Sequence, residues 1–246
     1  MNNKNYSPEK DTEKKKLKEI LNDAWKKSIQ HSNLYDLSNQ HLNEKSKKLS
    51  KTIKALMSPT WLYAKAAKKG VSDIDRTKGI IARNYGYLAI SIAISFAFLF
   101  VGEFDTLYFE TIPKLLVYIP IYILIWSRCN EILFAFITDA LDKSTDEKSS
   151  SLLTYRQRIE LALLSYIELI LNYAIIILIL PRDWLNKEIL SIADTIYYSG
   201  VTITTLGYGD IHPVHWITKL LSIHEVLAGF TLIVVSFAVY SGRSSE

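Results

Sequence analysis

Thr204-Thr205-Leu206-Gly207-Tyr208-Gly209-Asp210 is a strip whose two glycines constrain its backbone before any fold is assigned. Gly207 and Gly209 stand two residues apart. Glycine enters left-handed conformations at no steric cost. A backbone that alternates right- and left-handed residues can aim successive carbonyls at one axis, which neither helix nor strand can do. The competing reading is a chance Gly-Tyr-Gly turn between two strands, and the residues around the strip argue against it.

Four flanking segments are apolar and close to the roughly 20 residues that a helix needs to cross a bilayer. They run from about Tyr85 to Val101, Leu115 to Thr138, Ile159 to Leu180 and Ile217 to Tyr240. Pro181 stops the third. Between the third and fourth, Ile192 to Thr204 reads as a helix of roughly 20 Å, too short to cross. Ser191 and Asp194 have the spacing of a helix-starting capping pair. A half-crossing helix points its negative dipole end toward the bilayer centre, where it favours a cation. Irregular backbone at that depth survives only inside protein or against water.

Charge is divided unevenly. Residues 1–84 hold 19 Lys+Arg against 9 Asp+Glu, and the rest hold 10 against 16. No base-reading motif accompanies the basic block, which sets nucleic acid aside. Cationic residues stay on the cytoplasmic side of a membrane. The stretch 102–113 carries Glu103, Asp105 and Glu110 without Lys or Arg, and is expected outside. The stretch 142–158 carries Lys143, Lys148, Arg156 and Arg158, and is expected inside. Both termini then fall in the cytoplasm of a multi-pass plasma-membrane protein. The expected layout is a basic helical arm (1–84), a two-span hairpin (85–141), a cytoplasmic loop (142–158) and a pore-like unit (159–240). The lone Cys129 excludes an intrachain disulfide.

The strip resembles the selectivity filter of the potassium-channel pore family, whose core is Thr-x-Gly-Tyr-Gly. The likeness covers about Tyr155 to Tyr240. It is to the prokaryotic two-span pore-domain type, here with an added two-span hairpin in front. In that family rings of backbone carbonyls replace the water shell of K+. The resemblance implies K+ sites at Thr205, Leu206, Gly207 and Tyr208, with the Thr205 hydroxyl as the innermost ring and Gly209 completing the strip. It implies an all-α integral membrane fold of four spans plus a re-entrant pore helix. It also implies a homotetramer in the lipid bilayer, passive transport, and neither enzymatic activity nor a cofactor beyond the permeant ion. Tyr197 and Tyr198 stand where the family often has tryptophans, and with Thr204 and Asp210 would support the filter. At Val201 some relatives carry a glutamate that pairs with the filter aspartate. Asp210 therefore needs another partner, such as the Tyr198 hydroxyl. Gly229 stands at the position of the family's gating hinge, with close helix packing as its alternative role. Phe230, Ile233 and Phe237 share a helix face and would line the inner vestibule.

No span repeats arginine at every third position, so no familiar voltage sensor is expected. With few residues after the fourth span, no C-terminal ligand-binding domain is expected. No Walker loop, Ser-His-Asp set or paired carboxylates suggest catalysis. His212, His215 and His224 read as solvated or packed rather than metal-binding. Arg128, Glu131 and Glu168 fall near mid-span, where ionisable groups find partners. The expectation is an Arg128–Glu168 or Arg128–Glu131 pair. Glu225 is expected to pair behind the pore helix.

In the arm, Leu17, Ile20, Leu21, Ala24, Trp25 and Ile29 form one apolar helical stripe, and Leu49, Ile53 and Leu56 a second. Ser58-Pro59 reads as a helix start, followed by Trp61, Leu62 and Tyr63 among lysines. This arm suits an anionic lipid surface or a regulatory partner. The front half also resembles the SLATT modules of bacterial nucleotide-signalled defence systems. The rival functions are a weakly selective cation channel and a non-conducting membrane effector.

Overall fold

The computed structural model describes residues 48–104, 114–144, 152–187 and 191–241. The Leu17–Ile29 stripe and the stretch carrying Asp105 and Glu110 lie outside them. Residues 48–57 are helical. The fold from Lys54 onward consists of six α-helices among the described residues. They are α1 (Pro59–Ala67), α2 (Asp73–Phe104), α3 (Lys114–Ser144), α4 (Tyr155–Ile179), α5 (Ile192–Ile203) and α6 (Trp216–Ser241). α2, α3, α4 and α6 are each long and apolar enough to cross a membrane. The described residues contain no strand, only one isolated bridge between Leu185 and Pro213.

Local chemistry sets the helix ends. Ser58 caps α1 by accepting from the Trp61 N–H, with Pro59 at the first helical position, where a missing N–H costs nothing. α2 starts well before the apolar run, because Ser72 accepts from the Asp75 N–H at 3.2 Å and Asp73 and Asp75 favour the positive helix end. α4 opens on a full capping box between Thr154 and Gln157. It ends with Leu180 extended before Pro181, as the proline ring requires. Ser191 caps α5 through the Asp194 N–H, as the spacing predicts.

α4 is the hub. It packs against α2, α3, α5 and α6, and its Leu169, Tyr173, Ala174, Ile175 and Ile176 are fully enclosed. A short 3-10 turn (Arg182–Trp184) follows it. The front hairpin is joined to this hub by charge as well as by packing. Arg128 of α3 is 3% exposed and Glu168 of α4 is 1% exposed. The guanidinium donates to both Glu168 oxygens, at 2.7 and 3.0 Å, in the fork geometry that suits a carboxylate. It also reaches Glu131 at 3.1 Å, donates to Asn84 Oδ1 at 2.7 Å, and lies 4.5 Å from the Tyr87 ring. Arg83 meets Glu131 at 3.3 Å. Both anticipated pairs therefore form, within a set of two arginines and two glutamates that balance. Buried charges persist only when matched in this way.

α1 docks deep on α3. Ser58 Oγ donates to the Ser127 carbonyl at 2.8 Å, and the Thr60 N–H donates to Ser127 Oγ at 2.9 Å. Before this tip, Lys54 lies over the Phe134 ring; after it, Lys68 feels Arg83, Glu131 and Asp139. The chain thus climbs along α3 to Ser127 and turns back. Burial, then the Arg83 charge, pushes the Lys68 amine below its ordinary range.

Candidate ion-conducting site

α5 ends where the strip begins, and its last carbonyls determine how. The Leu206 N–H donates to the Val201 carbonyl at 3.0 Å and the Thr205 N–H to the Thr202 carbonyl at 2.9 Å. This is a Schellman closure, which demands a left-handed residue at position 205. Thr205 has φ 58°. Glycine usually fills such a position, and a β-branched residue there is an outlier costing roughly 1–2 kcal/mol. A threonine held there against its preference points to a need for its side chain.

The next left-handed residues are Gly207 at φ 54° and Gly209 at φ 81°. Left-handed backbone at 205, 207 and 209 alternates with Leu206 and Tyr208, the pattern expected of carbonyls aimed at one axis. Leu206 is 61% exposed and Tyr208 is 68% exposed, so the chain's own helices leave the strip uncovered.

The mouth of the strip is tied down by residues that the sequence reading missed. Asn186 Nδ2 donates to the Asp210 carbonyl at 3.0 Å, and its Oδ1 accepts the His212 N–H at 2.7 Å. The Asn186 N–H donates to the His212 carbonyl at 3.0 Å. The Trp184 carbonyl accepts from the Val214 and His215 N–H groups, while the Trp184 ring stacks on His215 at 4.0 Å. Nothing in the string Trp184-Leu185-Asn186 signals this, because pairing with 210–215 is set by tertiary approach. His212 Nδ1 lies 3.1 Å from the Gly209 carbonyl, and His224 bonds the Tyr173 hydroxyl and packs on Trp126. The histidines are thus engaged, and no metal-holding group of His, Cys, Asp and Glu occurs among the described residues.

The two tyrosines take separate tasks. The Tyr198 hydroxyl turns inward and bonds Ser222 at 2.6 Å, rather than Asp210. Tyr197, half exposed, is instead the tyrosine that lies near the Asp210 carboxylate. The Thr204 hydroxyl donates back to the Gly200 carbonyl at 2.6 Å and holds the last turn of α5.

α6 meets α5 along a ladder. Tyr198 bonds Ser222, Ser199 Oγ meets Glu225 Oε1, and Ile203 lies on Gly229. A Cβ on Gly229 would fall 2.5 Å from Ile203 Cγ1, so this glycine lets the two helices touch. That geometry supplies the packing role foreseen for Gly229, beside its expected role as a hinge. Leu220, Ile223, Leu227, Phe230, Ile233 and Val234 are exposed, while Leu221, Ala228 and Leu232 face the bundle. Two of the three expected vestibule residues therefore lie on open surface. The side chain of Phe237 lies outside the described set.

A helix too short to cross a membrane thus delivers an alternating strip between two helices long and apolar enough to do so. An ion channel family model matches residues 165–243. Two-pore potassium channel 2 of Arabidopsis thaliana is 40% identical over 90 residues, covering 36% of this chain and 19% of that protein. Potassium voltage-gated channel subfamily KQT member 4 of Homo sapiens is 35% identical over 69 residues, covering 28% and 9%. The chain thus spans less than a fifth of the length of these relatives. No solved structure matches. The matches support a potassium-channel pore family for this segment.

Proposed function

We propose that the chain is one subunit of a homotetrameric, potassium-selective channel of the plasma membrane, with both termini in the cytoplasm. K+ moves passively along the axis, handed between rings of carbonyls from Thr205, Leu206, Gly207 and Tyr208, with the Thr205 hydroxyl as the innermost ring and Gly209 completing the filter. Tyr197, Tyr198, Thr204 and Asp210 hold the strip at its width. Phe230, Ile233 and Phe237 line the vestibule, and Gly229 allows α6 to bend.

The observation that carries this reading is the left-handed backbone at 205, 207 and 209. In a selectivity filter such a strip aims its carbonyls at ions that have shed water. Its exposure on a single chain favours several copies around one axis, since irregular backbone at membrane depth must be enclosed. The network at Arg128 is read as a structural joint, because its charges already balance.

Potassium flux from liposomes holding the purified protein tests the proposal, with and without residues 1–80. Flux that dissipates a K+ gradient is expected, and its dependence on residues 1–80 reports whether the arm regulates opening. Tight liposomes under every condition would instead favour a non-conducting membrane effector.

A further inference from the structure

Glu225 lies in the middle of α6, within the membrane, and is 1% exposed. Its carboxyl meets Ser199 Oγ of α5. Ser199 also lies 2.9 Å from the Ile170 carbonyl of α4, in donating geometry. One hydroxyl carries one proton, and here it faces two acceptors, a backbone carbonyl and a carboxyl oxygen. The count closes fully if Ser199 donates to Ile170 and the carboxyl itself donates to Ser199.

The surroundings point the same way. The titratable groups acting with Glu225 are Tyr166 and Tyr173 of α4, Tyr198 of α5 and Cys129 of α3. His224, its neighbour on α6, is engaged with Tyr173 and Trp126. Among the described residues no Lys or Arg acts on it. An ionised carboxylate enclosed without a cation, sharing half a hydroxyl proton, is not sustainable in such a place. The buried Arg128 is already taken by Glu168 and Glu131.

We propose that Glu225 is a positioning residue that holds its proton as a neutral carboxylic acid, and so pins the pore helix to both crossing helices behind the strip. The chain of donation runs from Glu225 through Ser199 to Ile170, and joins α6, α5 and α4 at one point. Ser199 and Ile203 are four apart on α5, as Glu225 and Gly229 are on α6, so the acid and the glycine contact form successive rungs. The strip begins one turn beyond. Loss of the Glu225 proton would put a negative charge opposite the Ile170 carbonyl and release the upper rung.

The role rests on the channel reading, but the proton does not, and two measurements keep them apart. Infrared difference spectra between the full-length parent and Glu225→Gln are expected to contain the carbonyl stretch of a protonated carboxylic acid, shifted in D2O. Spectra in which only carboxylate bands differ would overturn the assignment, whether or not the protein conducts. In liposomes, Glu225→Gln donates an amide proton to Ser199 and should keep the parent's K+ flux within about twofold near pH 7. Glu225→Ala leaves Ser199 without its donor and should lose on the order of tenfold, the worth of one buried hydrogen bond. A Gln variant as impaired as the Ala variant would contradict the role.

Discussion

The pore segment and the hairpin in front of it solve the same problem, polarity inside a membrane, in opposite ways. The pore segment leaves backbone polarity open. Its strip at 205–209 has side chains on uncovered surface and its conformation fixed by helix closure from behind. The hairpin closes side-chain polarity. Arg83 and Asn84 from α2, Arg128 and Glu131 from α3, and Glu168 from α4 gather in one charge-balanced cluster within the bundle. Open polarity suits passage of an ion; closed polarity suits a joint. The same residue class, an enclosed glutamate, then takes two partners: the Arg128 guanidinium at Glu168 and the Ser199 hydroxyl at Glu225.

The largest effect expected from this contrast follows substitution of a glycine in each region. Gly207→Ala forces a Cβ onto backbone at φ 54°, costing about 1–2 kcal/mol in every copy around the axis, and should abolish K+ flux. Gly86→Ala in α2 meets nothing within 4 Å and should leave flux unchanged. Liposome flux of the two variants checks both; survival of flux in Gly207→Ala would break the comparison.

Next comes the joint. Arg128→Met strands Glu168 in the bundle and should cost about 3–5 kcal/mol of stability. Arg128→Met with Glu168→Leu removes both members of the main pair and leaves Arg83 to Glu131, so it should recover most of that loss. Unfolding in detergent measures the difference. A single variant as stable as its parent would show that the charges do not hold the hairpin to the pore segment.

The smallest effect is at Gly229. Gly229→Ala overpacks the α5–α6 contact by about 1–3 kcal/mol, and the cost should shrink in an Ile203→Ala background. Full stability with lost flux would instead mark Gly229 as a hinge alone.

The two regions also differ in how far the sequence revealed them. The strip announces itself because a left-handed backbone restricts residue type, so glycine at 207 and 209 is visible without coordinates. The capping at Ser191, the end at Pro181 and the four apolar runs follow from equally local chemistry. The ionic joint was legible in outline, since charge in mid-span requires a partner, but not that Arg128 takes both glutamates and Asn84 together. Thr205 at positive φ was hidden, because the closure of α5 overrides its local preference. The Asn186 clamp and the division of labour between Tyr197 and Tyr198 were hidden too. They depend on which way neighbouring helices turn a side chain, and no spacing encodes that. The docking of Ser58 and Thr60 on Ser127 joins residues far apart in sequence. The helix start at Ser58 was readable, but its depth on α3 was not.

The central claim concerns the ion that the strip accepts. Reversal potentials of the purified protein in planar bilayers, under a K+ gradient balanced by an opposed Na+ gradient, measure it directly. The account predicts a reversal close to the potassium equilibrium potential. A reversal near zero would mean that the strip at 205–209 passes both cations alike, and would contradict selection by carbonyls fitted to K+.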